Sequence, residues 1–351
     1  MRVLVTGGTG NVGTATVEHL VAQGWDVRAI GRRQDIEMAR AEYHVCDITC
    51  YDDLREQMQG CQAVVHLAAI PGPGRSPGHE VFRVNVAGTM NVFEAAHAEG
   101  IRRVVQASSI NAFGCFYNVD DLVPQYLPID EDHPPRTSDP YSFSKQLVEE
   151  IGAYYWRRER MSSVALRLPA VWPSSRIADP ERLARVQEDR AIIDSLAALP
   201  ESDRRVRLAE ISARAREIRS KRPFEQRKDA LWIAWRQELE QDRLLGIYTF
   251  DRFNFWTAID ERDAAQAVQK GLAADFEGSH VLFVNDCHNW LGYEAQQLAR
   301  LFFGDVDEWR APLDGPVSLV SMERARDLIG FEPVHALVAP DAAPSPGGVQ
   351  S

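Results

Sequence analysis

The sequence predicts an α/β fold: a doubly wound parallel sheet with a smaller C-terminal lobe and an inserted helical segment. Three observations carry that prediction. Short unbroken apolar segments alternate with amphipathic stretches over residues 1–168, the pattern of a parallel sheet covered by helices on both faces. The first apolar segment runs straight into a glycine-rich turn and then a helix. From Arg176 to Arg243 the alternation stops, and 16 Lys and Arg mix with 14 Asp and Glu along helix-length segments.

In chain order, strands are expected at 2–6, 26–30, 42–46, 63–66, 103–108 and 163–168, with helices near 12–23, 51–58, 78–99 and 141–160. In the charged region, Asp179-Pro180 reads as an N-cap followed by proline at the first helical position. Pro200 and Pro223 then divide three helices, the last with Leu231, Trp232, Trp235 and Leu239 on one face. Four units result: an α/β domain at 1–175, a helical insertion at 176–245, a smaller lobe at 246–335 and a tail at 336–351. Pro, Gly, Ala and Ser dominate the tail and predict disorder. The insertion leaves the chain just after a strand end. It reads either as a solvated unit packing its own small core or as a lid or subunit contact beside the site.

The opening Met1-Arg-Val-Leu-Val-Thr-Gly-Gly-Thr-Gly-Asn-Val-Gly13 places glycines at 7, 8, 10 and 13. Missing side chains let the backbone approach a pyrophosphate, whose charge sits at the positive end of the helix beginning at Asn11. The order strand, glycine turn, helix makes this spacing specific. It predicts dinucleotide binding, with Gly7, Gly10, Asn11, Val12 and Gly13 around the phosphates.

The chain has 351 residues, 45% of them apolar and 26% charged, with a net charge of -12. That balance disfavours a nucleic-acid partner. A strand at the first residues leaves no room for a signal peptide, and no apolar run is long enough for a bilayer, so a cytoplasmic location without membrane contact is expected. Five scattered cysteines read as reduced structural thiols, with no metal-ligand spacing.

Tyr141 and Lys145 are four residues apart and share a helical face. An ammonium beside a phenol favours the phenolate and predicts a Tyr141 pKa drawn down from about 10. Such a tyrosine moves a hydroxyl proton while hydride passes between carbon and a nicotinamide. Ser109, closing Ala107-Ser108-Ser109 at a strand end, is placed to hydrogen-bond the reacting oxygen.

Together these residues resemble the short-chain dehydrogenase/reductase superfamily in its extended, NAD-dependent epimerase/dehydratase form, built on a Rossmann sheet. The resemblance rests on Thr6-Gly-Gly-Thr-Gly-Asn-Val-Gly13, Asp47-Ile48, Val65-His-Leu-Ala-Ala69 and Asn85-Val-Ala-Gly-Thr-Met-Asn91. It continues in Ser108-Ser-Ile-Asn-Ala-Phe-Gly114, Tyr141-x-x-x-Lys145 and Arg167-Leu-Pro169. Residues 1–175 follow the pattern well, 246–335 loosely, and 176–243 fall outside it. The resemblance implies Ser109, Tyr141 and Lys145 as catalytic residues, with Lys145 also holding the nicotinamide ribose. It implies Asp47 and Ile48 beside the adenine, Leu67, Ala68 and Ala69 along the cofactor cleft, and Asn85 and Pro169 among its contacts. The alternative reading of Asp47 is a helix-capping or turn aspartate, and His66 reads as a packed strand residue.

Three departures narrow the chemistry. The second strand ends Val27-Arg-Ala-Ile-Gly-Arg-Arg33, with no carboxylate for the adenosine ribose, and Arg32 and Arg33 suit a 2′-phosphate. NADP is therefore favoured, with NAD the alternative. Where dehydratases of the family carry an acidic pair after the catalytic Ser or Thr, this chain has Ile110-Asn111. Dehydration is disfavoured, and Asn111 is left to bond substrate or to form a turn. No arginine stands in register before Thr257-Ala-Ile-Asp-Glu-Arg-Asp263 to hold a sugar-nucleotide diphosphate, and Arg252 is out of register. Trp172 and Trp256 read either as stacking surfaces for a sugar or as core. The loop 115–140, with Tyr117, Tyr126, Asp130, Glu131 and Asp132, is expected to pass over the cleft and shape the pocket.

The expected activity is NAD(P)-dependent oxidoreduction or epimerisation at a secondary alcohol or ketone of a sugar or sugar derivative, in a homodimer paired through helices near 81–99 and 141–160. Competing readings are an NADPH-dependent reductase of a non-sugar carbonyl and a cofactor-binding regulator without turnover. The intact Ser/Tyr/Lys set argues against the regulator.

Overall fold

In the computed structural model, which describes residues 1–121, 123–225 and 230–337, the apolar segments of the first half become strands of one sheet. The chain runs β1 (Arg2–Thr6), α1 (Asn11–Ala22), β2 (Asp26–Gly31), β3 (Glu42–Val45), α2 (Tyr51–Met58) and β4 (Ala63–His66). It continues through α3 (Gly78–Phe82), α4 (Gly88–Ala98), β5 (Arg103–Ala107), β6 (Tyr126–Leu127), α5 (Pro140–Glu159) and β7 (Ser162–Arg167), with a π-helical turn at Arg83–Ala87. After β8 (Ala170–Trp172) and α6 (Ser174–Ile177) come the insertion helices α7 (Pro180–Ala197), α8 (Glu201–Ser220) and α9 (Ala230–Gln241). The last part holds α10 (Arg243–Gly246), β9 (Ala258–Asp260), α11 (Glu261–Ala273), β10 (Ser279–Phe283), α12 (Ala295–Phe302), β11 (Glu308–Trp309) and α13 (Glu323–Ile329).

Seven parallel strands are ordered β10-β7-β5-β4-β1-β2-β3. Side chains alternate between the two faces. Val3, Val5, Ala29, Val65 and Val105 pack under α1 and α11, while Leu4, Ile30, Val64 and Val104 pack under α2, α4 and α5. Each fully buried Val or Leu contributes about 1.5–3 kcal/mol, so a one-residue slip in any strand is strongly disfavoured. The chain winds outward in opposite directions from β1 and from β4. A crevice therefore opens between their carboxyl ends, where ligands bind in folds of this kind.

The expected division at residue 246 does not hold. β10 is the edge strand of the main sheet, paired with β7 from Ser279↔Ser163 to Phe283↔Arg167, and α11 packs in the same core layer as α1. Residues 258–283 thus complete the first domain. The insertion does not pack a core of its own either. Ile193, Ile211, Ile218, Trp235 and Leu239 share one cluster with Phe255, Trp256, Leu291, Phe302 and Leu319 of the C-terminal lobe. The side chains of Leu231 and Trp232 lie outside the described residues. Disorder was expected from residue 336, yet Leu337 is buried and its N–H donates to Asp286 Oδ2 at 2.7 Å. Residues 338–351 lie outside the described ones. Among the described residues no helix is long and apolar enough to cross a membrane.

Candidate active site

The glycine turn closes hard against the end of β4. Gly7 has φ +70°, and a Cβ there would stand 2.7 Å from Ala68 N; a Cβ on Gly13 would stand 2.1 Å from Gly7 O. Only glycine fits either place. α1 is capped by Gly10 with no side-chain bond to its first turn, so the N–H groups at Asn11, Val12 and Gly13 keep their donors for an anion, aided by the helix dipole. A cavity of about 670 Å³ opens there, bounded by Thr9, Gly10, Asn11, Arg33, Ser174 and Arg262. These features fit the diphosphate of a dinucleotide.

Parallel pairing sets Thr6 beside His66. Thr6 Oγ1 lies 2.8 Å from His66 Nδ1 and accepts from Ala68 N at 3.2 Å, and His66 Nε2 lies 2.9 Å from Thr89 Oγ1. Burial, reinforced by the Lys145 charge, drives the imidazole pKa down to about 3. His66 is a neutral brace, not a base. Asn85 spends its amide on the protein: it accepts from Ile70 N at 2.8 Å and donates to Ile70 O and Ser144 Oγ. It ties the wall formed by Leu67, Ala68 and Ala69 to α5 rather than reaching into the cleft. Asp47 Oδ1 accepts from both the N–H and the hydroxyl of Thr49, the turn-capping alternative, and the Ile48 side chain is packed against Gly88. Arg33 donates to Thr9 O at 3.0 Å, holding the glycine turn, while Arg32 is exposed beside it. Pro169 is buried just past β7.

Asp139 caps α5 by accepting from Ser142 N at 2.9 Å, with Pro140 at the first helical position, and this aims Tyr141 at the end of β5. There the Ser109 side chain lies close enough to the Tyr141 phenol to favour its ionised form. Lys145 is one turn further on, its Nζ donating to Ala107 O at 2.7 Å. The expected depression of the phenol is not found. Burial and the neighbouring Tyr117 push the Tyr141 pKa up, and Ser109 opposes them. Burial also draws the Lys145 ammonium down to about 8. Desolvation outweighs the cation in this pocket.

A model of the NAD dependent epimerase/dehydratase family matches residues 3–184. The chain belongs to that family. The L-arabinose 1-dehydrogenase (NAD(P)(+)) of Haloferax volcanii is 39% identical over 173 residues, 48% of this chain and 66% of that one. The UDP-glucose 4-epimerase of Bos taurus is 31% identical over 172 residues, 43% of this chain and 47% of that one. These curated relatives are therefore matched over only part of their length. A solved short-chain dehydrogenase/reductase superfamily protein from Agrobacterium tumefaciens with bound NAD shares the fold. Its TM-score is 0.63, at 24% identity, over 96% of this chain and 94% of that one.

The family match ends at 184, and beyond it α8 connects through hydrogen bonds to Ser109. Arg219 of α8 is fully buried and donates to the carbonyls of Thr249, Cys115 and Phe116. Phe116 N donates to Asn111 Oδ1 at 3.1 Å, and Asn111 Nδ2 lies 3.3 Å from Ser109 Oγ. Asn111 is thus a positioning residue with its amide committed inside the protein. Beneath it, Ser108 donates to Glu149 at 2.5 Å, and Glu149 takes a bidentate pair from Arg167 at 2.9 Å. Glu149 follows Lys145 at helical spacing, a signal that sequence reasoning passed over; Arg219 carried none. Of the loop residues, Tyr117 stands edge-on to Tyr141 at 5.6 Å, whereas Tyr126, Asp130, Glu131 and Asp132 fasten the loop to Arg310 and Arg324 of the lobe and to Phe283 at the end of β10. Trp172 packs on Trp290 under Arg176 and Arg182, and Trp256 is core. Arg252 is buried and paired with Asp121.

Proposed function

We propose that this enzyme transfers hydride at a secondary alcohol or ketone of a sugar or sugar derivative, using NADP, by oxidoreduction or epimerisation and not by dehydration. One observation supports the reading: Ser109 and Tyr141 come together, with Lys145 one helical turn further on, at the carboxyl edge of the sheet that also carries the glycine turn. Ser109 holds the substrate oxygen, and Tyr141 passes its proton. A bound nicotinamide supplies the hydride chemistry. The raised phenol keeps its proton at neutral pH, so Tyr141 is set to donate to a carbonyl oxygen, which favours reduction. No carboxylate follows Ser109 to assist elimination; Ile110 is buried and Asn111 braces the serine. The names of the relatives, an arabinose dehydrogenase and a UDP-glucose epimerase, support a sugar. Exposed Arg32, beside a turn already held by Arg33, supports NADP.

The test is a panel of aldoses, ketoses and sugar acids with NADP or NAD, read by reduced-nicotinamide absorbance. A sugar-dependent change with NADP supports net redox, while isomerised sugar with no net change supports epimerisation. No chemical change in any sugar refutes the reading. A homodimer through α4 and α5 is proposed from the exposed Met90 and Phe143, and light scattering at a monomer mass would remove it.

A further inference from the structure

Beyond Tyr117 lies a cavity of about 500 Å³ that the proposed chemistry leaves unused. Pro73, from the loop after β4, and the aromatic rings of Phe116, Tyr117 and Phe250 form part of its wall. The remainder comes chiefly from the insertion and its borders, including Arg176, Arg185, Arg236 and Arg243. Tyr117 touches Tyr141 edge-on on one side, at 5.6 Å between centroids, and Phe224 on the other, at 5.3 Å. The cavity therefore begins one aromatic ring away from the catalytic phenol, a separation comparable with the length of one hexose.

Its charge is unbalanced. Four guanidinium groups face a single lining carboxylate, Glu240. Arg243 is accounted for, since it is chelated by Asp189 at 2.6 Å through both nitrogens and bonded to Asp251 at 3.0 Å. The other three keep donors to spare. Arg236 reaches Glu240 only at 3.4 Å, and Arg185 stands 3.7 Å from Glu188. Arg176 makes no ion pair among the described residues and lies over the Trp172 ring at 4.9 Å, which fixes its direction. These arginines come from α6, α7 and α9, so three separate helices bring like charges to one place. Bringing these like charges together costs repulsion that a bound anion would offset. Guanidinium forks match carboxylate and phosphate oxygens two at a time.

We propose that this cavity is a specificity subsite that receives a carboxylate or phosphate monoester carried by the sugar while its reacting carbon lies at Ser109 and Tyr141. This inference rests on the hydride-transfer reading, so its test separates binding from turnover.

Glucuronate, glucose 6-phosphate and glucose are titrated calorimetrically into the wild-type enzyme, an Arg176→Gln/Arg236→Gln double variant, and Arg205→Gln. Arg205 is an exposed arginine on α8 away from the cavity and serves as the charge control. At least one anion is expected to bind about tenfold or more tightly than glucose. The double variant should lose that preference, Arg205→Gln should keep it, and Arg176→Lys/Arg236→Lys should restore part of it. The carboxylate and phosphate arms identify which anion the site takes. Glucose binding as tightly as both anions, or equal loss in the control, overturns the subsite. In turnover the preference is expected in KM. Arginine-dependent anion binding with no change in any sugar leaves the subsite standing and removes the hydride-transfer reading. Turnover of neutral and anionic sugars with equal KM does the reverse.

Discussion

Acidification is expected to destabilise this protein through His66, by an amount that can be worked out. Thr89 gives its own hydroxyl proton to Asn85 O at 2.5 Å, so it accepts from Nε2–H of His66. Nδ1 must then accept from the Thr6 hydroxyl, whose oxygen already accepts from Ala68 N. A second ring proton has no acceptor there. Burial and the nearby Lys145 hold the folded-state pKa at about 3, against about 6.5 in the unfolded chain. A folded pKa below the unfolded one gives stability that is complete above 6.5 and is lost as the pH falls, because the unfolded chain takes up the proton first. Between pH 7 and pH 5 the linkage amounts to about 2 kcal/mol. His19 and His133 are also lowered by burial, so the quantity to measure is a difference. In His66→Gln the amide oxygen accepts from Thr6 and the amide nitrogen donates to Thr89 without titrating. Urea unfolding of both proteins at the two pH values is expected to show the variant losing about 2 kcal/mol less than wild type. Equal losses would refute the assigned hydrogen-bond directions and the neutral imidazole.

Three further outcomes follow from the same geometry. Gly13→Ala, whose methyl would stand 2.1 Å from Gly7 O, is expected to weaken NADP binding about tenfold or more by forcing the turn open, as read by fluorescence titration. Arg32→Ala is expected to weaken NADP binding about tenfold and leave NAD binding unchanged; an equal effect on both would remove the 2′-phosphate assignment. Arg219→Met frees the Cys115 and Phe116 carbonyls and loosens the loop that braces Asn111 and Ser109. A fall in kcat of about tenfold or more is expected, with NADP affinity intact. A fall in cofactor affinity alone would show that α8 does not act through the serine.

The strands and the cofactor crevice were legible because their signals are local. Alternation of apolar runs fixes which segments form strands, and the spacing of Gly7, Gly10 and Gly13 records a close approach of backbone to backbone. What sequence reasoning missed is tertiary. Nothing within 279–283 says that this segment returns to pair with β7 across the whole insertion. Helical spacing places Lys145 on the face of Tyr141, but the Ala107 carbonyl sets where its ammonium points, and burial decides the phenol's pKa. Arg219 is one of 16 basic residues in its region, and only the fold shows it buried. Arg252 and Trp172 illustrate the reverse: charge and aromaticity serve the lobe's core as readily as a binding site.

The most direct test of hydride transfer at this site is Tyr141→Phe, which removes one hydroxyl from a ring otherwise held by Tyr117 packing. With the anionic or neutral sugar found active and saturating NADP or NADPH, kcat is expected to fall about 10² to 10⁴-fold while NADP affinity stays unchanged. Undiminished turnover in the variant would contradict the assignment of Tyr141 as the proton-transferring group.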